Sequence, residues 1–328
     1  MPSISISPPS SSVVTSEVIE LPNSGNKAII VSINRPSKNN CFNSEVVLAL
    51  SKAFQSIAEK STSTSTYGDD GDGDGDELKI AAVIFTGKGS SFCAGADLSN
   101  PPNPLIQSSD LPECLLINPV HQMSRIPVPI IGAVHGHVIT GGFELALACD
   151  ILVGDDTVKF RDTHVKFGLA PCWGLSQKLS QRVGPGRAKL ISYSAKPVPA
   201  KLAYEWGIID EIVSSSDSVT SSDSDSEDDP RTSSTTQTSM SLKRAIEIAD
   251  TIGSQDLKMV RRYKKALEEG GKMELGKGLQ RERELGIAHY VEVMNDGNTF
   301  ENAKEFISSD GGTRSTRKEE RPRIVSKL

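Results

Sequence analysis

Apolar positions along the chain form short continuous runs that alternate with stretches of helical spacing. The runs predict buried β-strands, because runs of this length closed by Gly are typical of strands covered on both faces; they lie at residues 79–87, 129–136, 150–154 and 207–213. Two further stretches predict an antiparallel hairpin, residues 16–21 and 27–33. Helical spacing occurs at 46–58, at 143–149 and from Leu242 to about residue 310. Strands that alternate with helices predict an α/β fold.

Four segments interrupt this pattern because they offer little to bury. Residues 1–14 are rich in Ser and Pro and predict a disordered N-terminus. Residues 61–77 and 214–241 are low-complexity inserts, and the second is predicted to be a disordered loop. The remainder predicts one large domain, with a core at 15–253, a helical C-terminal region at 254–310 and a basic tail at 311–328.

The formal net charge of −6 arises in the inserts. The 328 residues include 36 basic and 42 acidic side chains, and each insert carries six acids in a run without a base. Outside those two runs, 30 acids face 36 bases. No stripe of aromatic and basic residues suggests nucleic-acid binding, and no apolar run reaches the roughly 18 residues that span a membrane.

The cysteines and the two ends of the sequence indicate the cellular compartment in which we expect the protein. The five cysteines are widely spaced and form no C-x-x-C pair, which favours reduced thiols inside a cell over disulfides or a zinc site. The first 12 residues lack the charged and apolar regions of a secretory signal. The final residues, Ser326, Lys327 and Leu328, match a peroxisomal address, so we expect an import receptor as a partner and a peroxisomal location.

Two Gly-rich loops are the candidate chemistry. Residues 91–98 follow the strand at 79–87, and residues 135–144 follow the strand at 129–136. Small residues allow a backbone to approach a ligand, and two such loops could direct two N–H groups at one oxygen, as in an oxyanion hole. The pair Gly141-Gly142 also opens a helix, whose N-terminal partial positive charge favours a developing enolate.

Three strings resemble the enoyl-CoA hydratase/isomerase (crotonase) family in order and spacing: Asn34-Arg35-Pro36, Phe92-Cys93-Ala94-Gly95-Ala96-Asp97-Leu98, and Gly141-Gly142-Phe143-Glu144-Leu145-Ala146-Leu147-Ala148-Cys149-Asp150. The resemblance covers about residues 16–290 apart from the inserts. It implies a crotonase-type spiral of β-β-α units with a helical C-terminal region, assembly as a homotrimer or hexamer, an acyl-CoA substrate, and no metal or redox cofactor.

The resemblance also assigns roles to residues. The oxyanion donors would be the backbone N–H groups of Ala96 and Gly141, and Glu144 would be the first of two acid/base glutamates. Substrate binding would fall to Ala94, Gly95, Asp97, Leu98 and, through a CoA phosphate, Lys264.

One position departs from the family pattern. His164 stands where hydratases carry the second glutamate, in an Asp162-Thr163-His164 string that resembles a subgroup with plant peroxisomal and bacterial members. If the segment is extended, Asp162 and His164 project to one side, so the carboxylate could orient the imidazole. A histidine can move a water proton near neutral pH. Two interpretations stay open: an acid/base pair of Glu144 and His164 supported by Asp162, or a structural Asp–His pair.

The expected function is hydration of 2-enoyl-CoA thioesters in peroxisomal fatty-acid β-oxidation. Two alternatives follow from the missing glutamate. An isomerase could use Glu144 alone to move a proton between C2 and C4 of the substrate. A non-catalytic acyl-CoA-binding protein could keep the loops and lose turnover.

Overall fold

A computed structural model describes residues 13–63, 79–101, 118–214 and 239–295. These residues form nine strands: β1 Val14–Glu20, β2 Lys27–Ile33, β3 Ile80–Gly87, β4 Ile130–Val134, β5 His137–Ile139, β6 Ile151–Asp155, β7 Lys159–Arg161, β8 Val198–Pro199 and β9 Glu211–Val213. They also form ten α-helices: α1 Ser44–Ser63, α2 Pro119–Met123, α3 Gly141–Ala146, α4 His164–Phe167, α5 Leu175–Val183, α6 Pro185–Ser194, α7 Ala200–Glu205, α8 Met240–Gly253, α9 Leu257–Gly270 and α10 Leu275–Asn295. A short 3-10 helix covers Pro36–Lys38.

The larger sheet has six strands in the order β1-β2-β3-β4-β6-β9. Strands β1 and β2 form the predicted antiparallel hairpin, with Val14 opposite Ile33 and Glu20 opposite Lys27. Every later pairing in this sheet is parallel. All eight residues of β3 are buried, which confirms that its continuous apolar run marks a strand covered on both faces.

A second sheet has three short strands in the order β5-β7-β8. Strands β5 and β7 are parallel, with Ile139 opposite Arg161, and β8 pairs with β7 in the antiparallel direction. The sequence did not predict this sheet, because strands of two or three residues are too short to show a period. It bears directly on function, since β5 and β7 both lead into the candidate site.

The core lies on both faces of the larger sheet. One cluster contains Phe54, Phe85 and Phe92, whose rings meet edge to face at 5.2 Å between centroids. A smaller cluster lies where α8 packs Ala245 and Ala249 against the sheet. Burial of each large apolar side chain contributes about 1.5–3 kcal/mol to stability, so the helices on both faces fix the sheet in place.

Several predicted boundaries are corrected by the structure. Strand β1 begins at Val14, inside the segment predicted to be disordered, and α1 continues to Ser63, inside the first predicted insert. The side chain of Ser239 accepts the N–H of Leu242, so α8 begins at Met240. That start precedes the predicted one at Leu242, because the cap lies in the Ser-rich end of the second insert.

The fourth predicted strand is also shorter than expected. Residues 207–210 form a turn, in which Gly207 has a φ of +79°, and β9 comprises only Glu211–Val213. The rest of the predicted disordered N-terminus and of the two inserts, residues 1–12, 64–77 and 215–238, lies outside the described residues, as does the tail at 311–328.

The chain divides into two compact units, Met1–Lys265 and Ala266–Leu328. The first contains both sheets. The second contains the end of α9 and all of α10, where Arg281 pairs with Glu269 and Glu284. The predicted helical region at 254–310 is helical in α9 and α10, and its part beyond residue 295 lies outside the described residues. Among the described helices, none has the length and apolar character to span a membrane.

Candidate active site

The candidate site forms where β5 and β7 end side by side. Strand β5 continues through Thr140 into α3, and β7 continues through Asp162 and Thr163 into α4. Because parallel strands end at the same edge of a sheet, the two segments emerge together. His164 is the first residue of α4, so the prediction of an extended segment around it is corrected.

Glu144 lies in the first turn of α3 and is 2% exposed. Its Oε1 atom accepts the backbone N–H groups of Trp173, at 2.8 Å, and of Leu175, at 3.3 Å. Burial raises the pKa of Glu144 above its ordinary value, and these two hydrogen bonds oppose the rise only in part. Hydrogen bonds therefore fix one oxygen of the carboxyl group, and burial favours its protonated form.

His164 lies between two carboxyl groups. Its Nδ1 atom is 2.7 Å from Oδ1 of Asp162, and its Nε2 atom is 3.8 Å from Oε2 of Glu144. Asp162 also accepts the backbone N–H of His164 at 3.0 Å. Asp162 thus orients the imidazole, and Nε2 faces Glu144.

The pKa of Asp162 defines the tautomer of that imidazole. Burial acts to raise this pKa, but hydrogen bonds from the ring and backbone of His164 and from the Ser192 side chain outweigh it, so the pKa lies below its ordinary value. An ionised Asp162 can only accept, so Nδ1 of His164 carries the proton that it donates. In the neutral ring, Nε2 then presents a lone pair towards Glu144.

The loop that follows β3 lies along β5. Cys93 donates its N–H to the carbonyl of His137, and Ile139 donates to the carbonyl of Cys93, both at 3.0 Å. The two Gly-rich loops are therefore neighbours, as predicted. The second loop, residues 135–144, follows β4 as predicted, and it contains the short strand β5.

Two glycines allow this close approach. A Cβ atom on Gly95 would lie 2.9 Å from the carbonyl oxygen of Ile139, and one on Gly142 would lie 2.2 Å from that of Cys93. Gly95 also has a φ of +93°, which favours glycine. In the part of the chain that the structure describes, the backbone N–H groups of Ala96 and Gly141 donate to no other group.

Phe42 joins these loops to the segment that holds Glu144. Its N–H donates to the carbonyl of Gly95 at 2.9 Å, and its ring lies 5.0 Å from the ring of Trp173. A Cβ atom on Gly141 would lie 2.4 Å from Cζ of Phe42. Sequence reasoning gave neither aromatic residue a role: Phe42 lies between the first two recognisable strings, and Trp173 follows the Asp162-Thr163-His164 string.

The other predicted substrate-binding residues occupy varied environments. Asp97 accepts hydrogen bonds from the Ser99 hydroxyl and from Arg35, which together lower the pKa of Asp97 to about 2. Its carboxylate is thus held inside the loop. Ala94 donates its N–H to the carbonyl of Asn39, and Leu98 is 61% exposed.

Lys264 has a different place from the one predicted. Its side chain is 8% exposed, and its Nζ atom lies 2.7 Å from Oδ2 of Asp150 and 3.0 Å from the carbonyl oxygen of Val128. The ammonium group therefore pairs inside the protein, and the expected contact with a CoA phosphate is corrected. Among the described residues, no group of three His, Cys, Asp or Glu side chains has an arrangement that could hold a metal ion.

Comparison with known proteins identifies the family. A family model described as enoyl-CoA hydratase/isomerase matches residues 74–227. A protein of Arabidopsis thaliana named "Probable enoyl-CoA hydratase 1, peroxisomal" is 34% identical over 305 residues, which cover 93% of this chain and 98% of that protein. This chain belongs to the enoyl-CoA hydratase/isomerase family. The resemblance carried by the three strings is confirmed.

Solved structures of the enoyl-CoA hydratase/isomerase family share the fold. A crystal structure of enoyl-CoA hydratase from Bacillus anthracis aligns with a TM-score of 0.66 at 24% identity, over 90% of this chain and 96% of that one. A putative enoyl-CoA hydratase from Thermobifida fusca, solved in complex with CoA, aligns with a TM-score of 0.63 at 19% identity, over 87% and 95%. The predicted α/β crotonase-type fold class is confirmed.

Proposed function

We propose that this family member is an enoyl-CoA hydratase that adds water across the C2=C3 bond of a 2-enoyl-CoA thioester. The observation that carries the proposal is the buried pair in which Oε2 of Glu144 lies 3.8 Å from Nε2 of His164. Hydration needs one group that takes a proton and one that gives a proton. Glu144 is inclined to keep a proton, and His164 presents a lone pair.

A water molecule within hydrogen-bond distance of both atoms would be the reactant. Nε2 of His164 takes a proton from this water while its oxygen bonds to C3, and the C2=C3 electron pair moves to give an enolate on the thioester oxygen. C2 then takes the proton of Glu144. Transfer of a proton from His164 back to Glu144 restores both groups, so atoms and charges balance.

The enolate oxygen needs donors that are free when the substrate arrives. The N–H groups of Ala96 and Gly141 are such donors, because neither bonds to another described group and the loops that carry them are in contact. Loss of one donor of this kind costs about 100- to 1,000-fold in kcat.

The proposal is tested with purified protein on trans-2-enoyl-CoA and on cis-3-enoyl-CoA. We expect hydration by the wild type, and losses of about 100-fold or more in Glu144→Gln and in His164→Ala. The matched control is Glu59→Gln, the same change on the exposed face of α1, which should keep wild-type rates. Normal hydration by Glu144→Gln would refute the mechanism. Turnover of only the cis-3 substrate would identify an isomerase, and turnover of neither would identify an acyl-CoA-binding protein.

An acyl-CoA substrate and a peroxisomal location belong to the same proposal. The names of the Arabidopsis and Thermobifida proteins support them, together with the tripeptide Ser326-Lys327-Leu328. A fluorescent protein fused to the N-terminus should enter peroxisomes, and deletion of the three residues should leave it outside. Unchanged import after the deletion would contradict the role of the tripeptide.

Assembly as a homotrimer or hexamer is a further part of the proposal. Helix α10 exposes several large apolar side chains, at Leu275, Leu279, Ile287, Tyr290 and Val291. Patches of this kind mark surfaces that associate with other chains. Sedimentation equilibrium should give three or six times the mass of one chain, and a monomeric mass would contradict the assembly.

A further inference from the structure

Two threonine side chains extend the pairing between β5 and β7 beyond the strands. The last backbone bond of this ladder runs from the N–H of Thr140 to the carbonyl of Arg161, at 2.8 Å. At the next step, the N–H of Thr163 donates to Oγ1 of Thr140 at 3.1 Å, and the two hydroxyl oxygens lie 2.5 Å apart, in a hydrogen bond that either can donate. A side chain thus replaces the backbone acceptor.

Each member of this threonine pair, Thr140 and Thr163, is joined to one acid/base residue. The carbonyl of Thr140 accepts the N–H of Glu144 at 3.0 Å, and Gly141 follows Thr140 directly. Thr163 lies between Asp162 and His164, and its carbonyl accepts the N–H of Lys166 at 3.0 Å, inside α4. A displacement at the threonine pair therefore moves Glu144 relative to His164.

The backbone of Thr140 is unusual for this residue type. Its φ of 51° and ψ of −109° lie in a region that favours glycine, and a β-branched side chain makes the conformation more costly. A glycine would adopt it more easily but would lack the hydroxyl group. A costly backbone conformation at a site indicates that the surrounding contacts maintain it for a reason.

We propose that the threonine pair is a positioning device that holds Glu144 and His164 at the separation that hydration needs. This inference rests on the proposed function. A misplacement of about 1 Å at a reacting group can cost about 100-fold in rate, so one lost hydroxyl group at this place affects kcat more than substrate binding.

The variants Thr140→Ala, Thr140→Gly, Thr163→Ala and Thr140→Ser test the proposal. We expect a loss of about 10- to 100-fold in kcat with KM nearly unchanged for the first three, and recovery of most of the kcat by Thr140→Ser, which restores the hydroxyl. The matched control is Thr86→Val, which removes another buried threonine hydroxyl, one that donates to the carbonyl of Ala133 between β3 and β4. Its kcat should stay within about twofold of the wild type, because an interaction between two other strands does not hold the acid/base pair.

Thr140→Gly separates positioning from a merely structural role. Because glycine suits this backbone, the Gly variant should unfold at a higher temperature than Thr140→Ala while its kcat remains equally low. Recovery of kcat in Thr140→Gly, in step with stability, would overturn the proposal.

A crystal structure of Thr140→Ala tests the positioning role of the threonine pair independently of activity. We expect the distance between Oε2 of Glu144 and Nε2 of His164 to differ from the wild-type 3.8 Å by about 0.5 Å or more. An unchanged distance would overturn the positioning role. If the wild type hydrates no enoyl-CoA, the proposed function fails, and the distance alone still supports or overturns the role of the threonine pair.

Discussion

Oδ1 of Asp162 lies 2.7 Å from Nδ1 of His164 and also accepts the backbone N–H of the same residue. The carboxylate therefore fixes both the ring and the start of α4. A glutamate in place of His164 would bring a second carboxyl group against Asp162, where like charges repel. We therefore expect the residue type at 162 to limit which residue type functions at 164.

His164→Glu alone should consequently hydrate no faster than His164→Ala. The double variant His164→Glu/Asp162→Asn removes the repulsion and supplies the carboxyl group that the family pattern expects. We expect it to exceed the rate of His164→Ala by about 10-fold or more, from the contribution of a positioned acid/base group. Steady-state hydration rates of the three variants provide the comparison, and Asp162→Asn alone serves as the control. A double variant no faster than His164→Ala would contradict the acid/base role of this position.

Glu144→Gln should be more stable than the wild type at neutral pH. The folded protein raises the pKa of Glu144, mainly by burial, so ionisation is more costly in the folded than in the unfolded chain. The penalty is absent below the ordinary value near 4.5 and grows as the pH rises through the folded pKa. Glutamine resembles the protonated form and avoids the penalty. Thermal unfolding from pH 4 to 8 should therefore show a stability gain that appears only as the pH rises.

Glu59→Gln supplies the control for this pH series. Glu59 is exposed on α1, so its variant should follow the wild-type curve at every pH. A Glu144→Gln protein that is less stable than the wild type at pH 7 would show that the hydrogen bonds from Trp173 and Leu175 outweigh burial.

Gly141→Ala should impair hydration because it displaces the backbone N–H of residue 141, the proposed oxyanion donor, without removing it. The new Cβ atom would lie 2.4 Å from Cζ of Phe42, so the backbone or the ring must move. We expect about 100-fold lower kcat, and partial recovery in the double variant Gly141→Ala/Phe42→Leu, whose smaller side chain makes room.

Gly142→Ala provides the contrast to this recovery. Its Cβ atom would lie 2.2 Å from the backbone oxygen of Cys93, which no side-chain substitution removes. Phe42→Leu should therefore not rescue it. Equal rescue of both glycine variants by Phe42→Leu would contradict the steric argument.

Lys264→Met should destabilise the protein by about 2 kcal/mol, because the carbonyl of Val128 loses its donor and the partly exposed Asp150 loses its cation. The exposed neighbour offers the control Lys265→Met, for which we expect a change within about 0.5 kcal/mol. Adding Asp150→Asn to Lys264→Met should recover part of the loss. Urea unfolding measures all three, and a large rise in KM for the CoA thioester without loss of stability would restore the contact first predicted for Lys264.

The sequence identified residues that occur in recognisable strings, including the proposed backbone donors Ala96 and Gly141, and it gave no role to the backbone amides that hold Glu144. Glu144 and His164 were predicted as a pair and lie 3.8 Å apart. The amides of Trp173 and Leu175 that hold Glu144 carry no side-chain signal, since any residue type supplies an N–H. Strands β5 and β7 have three residues each, too few for a period.

Long-range pairing explains the wrong expectation for Lys264. A lysine in a helical pattern is normally exposed, and its partner Asp150 is 114 positions away in the chain. Only the folded protein shows that the two meet. The family strings, by contrast, predicted the fold class without any knowledge of such pairs.

The parallel pairing of β5 and β7 has a consequence for how reactions diverge within the family. It delivers two segments to one place, and each contributes one of the two proposed acid/base residues shortly after its strand. Under the proposed function, substitution at 162 and 164 would replace the proton-transfer chemistry and leave the two Gly-rich loops as they are. Relatives grouped by the residue types at positions 144, 162 and 164 should separate by reaction more cleanly than relatives grouped by overall identity.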